Sequence, residues 1–353
     1  MIKKCLGCGT LMQNEDVNRP GYVTDITKDY CKRCFRLMHY NETPKVFASN
    51  KEFLDVIDYE LTKKNLFLYL IDIFSFPISF NKKIIDKLRG KDTILVINKI
   101  DLLPKSLKPQ NILEFVSREC EKIFFKVIGI YLISAKKGYY LDSLMDHLKY
   151  LRKERDICIL GLASVGKSSF INAILKKYTE TKVDTIATSV IPGTTLNEIK
   201  IPFYLDNRGF IDTPGLISKE AVLSQIEAKD YKFVVPSKEI KPITYQLYGS
   251  YTYFLGGLVY LSFEEIKKGS LTIYKAEELT ITKVKTENVV KTLPKLGETI
   301  LPSNNRPFET LTIKGPKSVF IGGFLIIEIS DVEVSVNYKK GLGVKIYDRL
   351  FRR

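Results

Sequence analysis

The sequence predicts a central α/β domain built on a parallel sheet, with a small cysteine-rich module in front and a β-dominated region behind. Three observations carry that reading. A glycine-rich stretch, Gly161-Leu-Ala-Ser-Val-Gly166-Lys167-Ser168-Ser169, joins the apolar run 157–160 to a helical pattern over 169–175, as a phosphate-binding loop does. Two C-x-x-C pairs, Cys5/Cys8 and Cys31/Cys34, mark the front. From about Ser218 onward, short β-rich runs separated by turn residues replace the helical periodicity. A chain of 353 residues has room for three such parts, and their bounds read as 1–44, 45–218 and 219–353.

The formal net charge of +15 favours an acidic partner such as nucleic acid or an anionic surface. A lysine-rich solvated surface accounts for the same number, so charge alone decides nothing. No run of about eighteen apolar residues occurs, and Met1-Ile-Lys-Lys-Cys5 leads into the cysteines without an apolar signal core. A cytoplasmic protein without a membrane span is expected. Oligomeric state is not legible.

In the front module, four thiolates at C-x₂-C…C-x₂-C spacing can close a tetrahedron around a structural Zn²⁺, with Gly7 and Gly9 easing the first turn. Cys5, Cys8, Cys31 and Cys34 are the expected ligands, and His39 reads as an ordinary side chain. Arg19, Lys28, Lys32, Arg33 and Arg36, interleaved with Tyr22, Tyr30 and Phe35, suit RNA contact by charge and stacking. They serve equally as packing and surface residues of a small ribbon.

Beyond the linker Thr43-Pro44, residues Phe53, Leu54, Val56, Ile57 and Leu61 have helical spacing, and 66–72 reads as a buried strand. A helix over 81–88 and a buried strand over 93–97 follow, and Asn98-Lys99-Ile100-Asp101 stands at that strand's end. N-K-x-D suits guanine: the carboxylate accepts from the ring N–H and the exocyclic amine, the amide meets the far edge, and the lysine stem covers the ring. A strand over 127–133 ends in Ser134-Ala135-Lys136, which closes such a pocket or simply opens the next helix. That helix carries Leu141, Leu144, Met145, Leu148 and Leu151 at core spacing and is expected to run through Arg155.

In the loop 161–169, Gly161 and Gly166 permit a tight turn whose backbone N–H groups, through Ser164, Val165 and Ser169, face a phosphate. Lys167 supplies charge at the β/γ-phosphates and Ser168 a hydroxyl to Mg²⁺. After the loop's helix come Thr188-Ser-Val-Ile-Pro-Gly193-Thr194-Thr195 and Asp212-Thr213-Pro214-Gly215. Asp212 is placed to hold Mg²⁺ through water, Gly215 to offer its N–H to the γ-phosphate, and Thr195, with Thr194 as the alternative, to complete the Mg²⁺ shell. Lys167, Thr195 and Gly215 are thus the expected catalytic contributors.

In ordinary small GTPases, N-K-x-D and S-A-K follow the phosphate loop; here they precede it. Joining the old ends through the helix at 141–155 and cutting after D-x-x-G preserves every strand neighbour. The chain therefore resembles the circularly permuted GTPases and, with its cysteine module and further domain, looks most like the YqeH family of ribosome-assembly GTPases. The resemblance implies a permuted P-loop GTPase domain with an N-terminal zinc ribbon and a C-terminal β-rich domain. It further implies GTP/GDP and Mg²⁺ binding, and a role in maturing the 30S ribosomal subunit through rRNA. Two residues depart from related enzymes. Asparagine tied to K⁺ use often stands where Ser164 is, which leaves K⁺ use open. Leu216 replaces the glutamine that orients water in Ras-like enzymes, so slow intrinsic turnover is expected. An RNA-binding scaffold whose nucleotide site is occupied but barely catalytic is the rival reading.

Behind the switch, β-runs are expected at 251–261, 270–274, 279–284, 318–329 and 332–338, with bends or bulges at Gly256-Gly257 and Gly322-Gly323. Lys339, Lys340, Lys345, Arg349, Arg352 and Arg353, among Tyr338, Tyr347 and Phe351, give a basic end. Nucleic-acid contact and a merely soluble terminus fit it equally.

Overall fold

The computed structural model describes residues 3, 12–16, 21–32, 50–179, 191–192, 199–202, 206 and 208–348. They belong to two compact units: Met1–Asp72 with Lys82–Asn98 and Cys120–Ile217, and Ile73–Asn81 with Lys99–Glu119 and Ser218–Arg353.

The first unit is built on a seven-stranded sheet, entered through helix α1 (Asn50–Leu61). Strand β1 (Leu66–Asp72) pairs in parallel with β2 (Thr93–Asn98), and β2 with β3 (Gly129–Leu132). On its other side β1 pairs with β4 (Ile157–Leu160), which pairs with β7 (Gly209–Asp212), again in parallel. Two antiparallel strands, β6 (Ile199–Pro202) and β5 (Ile191–Pro192), complete the edge. Every residue of β1, β2 and β4 is buried, which is why each reads as an unbroken apolar run rather than an alternation. Helix α6 (Lys167–Thr179) seats Phe170 edge-on against Phe210 of β7, ring centroids 6.3 Å apart.

The expected helix over 81–88 forms as α3 (Lys82–Leu88), preceded in the second unit by a separate turn of helix, α2 (Phe76–Ser79), with proline in its first turn. Helix α5 (Leu141–Leu151) stops short of the expected Arg155. Lys153 and Glu154 take left-handed φ of 48° and 59°, and Arg155 turns back to donate to the carbonyls of Leu151 and Arg152.

The second unit is an eight-stranded antiparallel sheet. Its long strands β8 (Ile243–Leu255) and β9 (Val259–Lys275) form one hairpin, with β10 (Ile281–Lys285) on β8. β11 (Phe308–Lys314) pairs with β14 (Glu333–Lys339), β12 (Lys317–Ile321) with β13 (Leu325–Ile329), and β15 (Val344–Tyr347) with β12. The runs expected at 251–261 and 318–329 are therefore hairpins rather than single strands. Both turn through Gly-Gly followed by an apolar residue: Phe254-Leu-Gly-Gly-Leu-Val-Tyr-Leu261 and Phe320-Ile-Gly-Gly-Phe-Leu-Ile-Ile327. Gly256, Gly322 and Gly323 have φ of 56°, 58° and 73°, and Leu258 and Phe324 are wholly buried. The glycines reverse the chain while the third residue anchors the turn in the core. An aromatic series, Phe76, Phe115 of α4 (Pro109–Lys122), Tyr347 and Phe320, ties segments 73–81 and 99–119 to this sheet, with successive centroids 5.0, 5.3 and 5.4 Å apart.

A Cβ at Gly322 would lie 2.9 Å from Leu342 Cδ2 and 3.0 Å from the Phe324 ring, at a left-handed φ. Gly322→Val is expected to destabilise the second unit by about 1–3 kcal/mol. Chemical denaturation of the full chain checks this, and an unchanged midpoint would contradict the turn.

Candidate functional site

Asn98, the last residue of β2, is 2% exposed, so its amide must find partners inside the protein. Its Nδ2 donates to Val165 O at 2.9 Å, and its Oδ1 accepts from the Ala135 N–H at 3.0 Å. One side chain thus joins the N-K-x-D element, the phosphate loop and the S-A-K element. Ser134 is buried, and its Oγ accepts from the Lys137 N–H at 3.0 Å, tightening the turn that presents Ala135 and exposed Lys136.

The phosphate loop leaves β4 and returns into α6. A Cβ at Gly161 would fall 2.6 Å from Leu70 O, and one at Gly166, where φ is 99°, would run into Asn98 Nδ2. Both glycines are therefore demanded by close approach and not by flexibility alone. Ser164 holds a left-handed φ of 67°, a conformation that asparagine tolerates better than serine. Val165 is buried, while Ser168 and Ser169 are half-buried in the first turn of α6. Lys167 is 8% exposed, and its Nζ donates to Gly161 O at 3.2 Å and to Leu162 O at 3.1 Å. Burial lowers its pKa to about 8, and the nearby charge of Asp212 offsets part of that shift.

Asp212 ends β7, and the Thr213 hydroxyl behind it donates to Ile159 O at 2.7 Å. The segment beyond then runs along the loop: the Ala163 N–H donates to Leu216 O at 2.9 Å and the Leu216 N–H to Gly161 O at 3.3 Å. A Cβ at Gly215 would meet Ala163 Cα at 2.7 Å and Lys167 Nζ at 2.9 Å. Leu216 is 3% exposed. The Asn50 side chain closes the segment, its Oδ1 accepting from the Ile217 N–H and its Nδ2 donating to Ile217 O, both at 2.9 Å. Neither Asn50 nor this pairing was legible: an asparagine at a helix start reads as a cap, and nothing links it to a residue 167 positions away. Thr194 and Thr195 lie outside the described residues.

Of the other residues expected to read the base, Lys99 has a left-handed φ of 66° and Asp101 sits in a 3₁₀ turn, Ile100–Leu102. Within the second unit this turn is tied down by the Ile240 N–H, which donates to Leu102 O at 2.8 Å. The Lys105 N–H donates to Glu239 Oε1 at 3.1 Å.

In the cysteine module, Cys31 is buried beside Met12 and Val23, while Cys5, Cys8 and Cys34 lie outside the described residues. Backbone bonds run from Met12 N to Lys3 O, Val23 N to Gln13 O and Lys32 N to Tyr22 O, at 2.8, 2.8 and 2.7 Å. No group of three or more His, Cys, Asp or Glu that could hold a metal occurs among the described residues. At the basic end, Lys339 is buried rather than presented to a ligand: its Nζ donates to Arg306 O at 2.8 Å and lies 4.1 Å from the Phe308 ring centroid. Tyr347 belongs to the aromatic series, and 349–353 lie outside the described residues. No helix among the described residues is long and apolar enough to cross a membrane.

A glycine cradle with a lysine at its centre, a D-x-x-G segment lying along it and an N-K-x-D asparagine bonded into it define the class: this is a P-loop GTPase, a GTP hydrolase. The oxygen donors of Ser168 and Asp212 suit Mg²⁺, which when bound neutralises phosphate charge. A family model described as a 50S ribosome-binding GTPase matches residues 156–252. The chain is 33% identical to YqeH of Bacillus subtilis (strain 168) over 96% of its own length and 97% of that protein's, and it belongs to the YqeH family. NO-associated protein 1, chloroplastic/mitochondrial, of Arabidopsis thaliana is 28% identical over 86% of this chain, which covers 63% of that longer protein. GTPase Der of Aquifex aeolicus (strain VF5) is 32% identical over 47% of the chain and 38% of its own length.

A bound phosphate favours the charged form of Lys167, whose pKa stands at about 8 without it. Binding therefore takes up a proton once the pH exceeds that value. GDP affinity is expected to be level below pH 8 and to fall as the pH rises through it, toward about tenfold per further unit. Titrations from about pH 7 to 8.8 check this, and a flat profile would contradict it.

Proposed function

We propose that this chain is a circularly permuted GTPase that hydrolyses GTP slowly and acts as a nucleotide-dependent switch in small (30S) ribosomal subunit assembly. The observation that carries the nucleotide assignment is Asn98, whose two bonds connect the base-reading, phosphate-binding and S-A-K elements. Asn98, Lys99 and Asp101 read guanine, with Ser134, Ala135 and Lys136 closing its edge. Gly161, Ser164, Val165, Gly166, Lys167, Ser168 and Ser169 hold the phosphates, and Ser168, Thr195 and Asp212 serve Mg²⁺ directly or through water. Lys167, Thr195 and Gly215 support the transfer. Permutation is supported by chain order, since β1, β2 and β3 precede the phosphate-loop strand yet lie on one side of it in the sheet. Slow turnover is supported by Leu216, apolar, buried and bonded along the loop, where it has no group to orient water.

The three parts, 1–44, 45–218 and 219–353, are proposed as zinc module, GTPase domain and β-rich domain. A buried Cys31 on a small ribbon fits a thiolate zinc set with Cys5, Cys8 and Cys34. K⁺ use stays open at Ser164. The YqeH relative is bacterial, which supports the cytoplasm as the site of action. Ribosomal RNA as partner is supported by a hollow of about 370 Å³ at the amino ends of β1, β2 and β4, lined by Lys63, Lys64, Lys91, Lys153 and Arg155 with Asp92 as its one carboxylate. The rival reading, an RNA-binding scaffold with a barely catalytic nucleotide site, is favoured by the same buried Leu216. Turnover measured with and without small subunits separates the two.

Sedimentation with purified 30S and 50S particles tests the assignment. Co-sedimentation with 30S particles or their precursors that depends on the bound nucleotide is expected. Binding to 50S alone, or binding indifferent to GDP and a non-hydrolysable GTP analogue, would overturn it.

A further inference from the structure

The D-x-x-G segment is where a GTPase senses its γ-phosphate, so what holds that segment sets the balance between nucleotide states. Here it is held from two sides. On one side Leu216 is paired with the phosphate loop through its own N–H and carbonyl, which engage Gly161 O and the Ala163 N–H. On the other side Asn50 engages both backbone groups of the next residue, Ile217, acting as a one-residue strand partner. Peptide groups held so are fixed in position along the chain as well as in angle. At Gly215, directly before them, a side chain would run into Ala163 and the Lys167 Nζ.

We propose that Asn50 is a positioning residue for the nucleotide switch: it latches the D-x-x-G segment onto the phosphate loop and so weights the protein toward GDP. The inference rests on the GTPase reading of this site. Two features give its direction. Leu216 O occupies the Ala163 N–H of the loop, so an anion that draws on this part of the loop's backbone must displace the segment. The γ-phosphate is also the group that draws the Gly215 N–H to itself, and Gly215 cannot move without disturbing Leu216 and Ile217. A contact that favours one arrangement of the segment lowers affinity for whichever ligand requires the other. Asn50 opens α1 and follows the cysteine pairs along the chain.

The test uses the full chain and two variants, Asn50→Ala and Asn50→Asp. The aspartate keeps an acceptor for the Ile217 N–H and a favourable charge at a helix start, but sets an oxygen against Ile217 O. Affinities for GDP and for a non-hydrolysable GTP analogue are measured together with kcat and KM. Both variants are expected to raise the ratio of analogue to GDP affinity and to raise kcat, Asn50→Ala by about tenfold for the loss of two hydrogen bonds, Asn50→Asp through the loss of one and the repulsion between its carboxylate and Ile217 O. Equal weakening of both nucleotides, or an unchanged ratio, would overturn the latch. Failure of the unaltered chain to bind guanine nucleotides would instead overturn the underlying GTPase reading.

Discussion

A single buried amide organises the nucleotide site. Asn98 ends a strand with no exposed surface, and an unsatisfied amide there would cost on the order of 1–3 kcal/mol. It is satisfied by Val165 of the phosphate loop and Ala135 of the S-A-K turn. The loop's geometry then follows: Gly166 can carry no side chain because Asn98 Nδ2 occupies the place of its Cβ. Asn98 and the phosphate loop are far apart in sequence, yet this amide fixes them to each other.

The same economy governs the switch. Leu216 replaces a residue that would orient water, and the structure uses it as a packing element bonded along the loop. Lys167 keeps its ammonium on loop carbonyls within the buried cradle, where its pKa is low enough to respond to an incoming phosphate. The site is therefore closed by its own parts, and a γ-phosphate has to compete with them. Within the second unit, the turn holding Asp101 is bonded to segment 239–240.

Much of this was legible because local chemistry demanded it. The strand 66–72, the phosphate loop, N-K-x-D and D-x-x-G are short motifs whose residues act next to one another in sequence, and the buried strands betray themselves by unbroken apolarity. What was not legible is long-range or depends on burial. The helix at 141–155 stops early because two non-glycine residues turn left-handed, for which no residue type was a signal. The two Gly-Gly turns were visible as glycine pairs, but reading them as bends concealed two hairpins of near-identical pattern. Lys339 stands in a run of basic residues that reads as surface charge, yet it is buried against Phe308. Asn50 reads only as a helix cap, with nothing local to link it to Ile217.

The central claim is that the D-x-x-G segment rests paired with the phosphate loop and that GTP breaks this pairing. Hydrogen exchange at the amides of Leu216 and Ala163, compared between GDP and a non-hydrolysable GTP analogue, addresses it directly. Slow exchange at both amides with GDP, and markedly faster exchange at Leu216 with the analogue, is the expected result. Equal protection of Leu216 in the two states would contradict it.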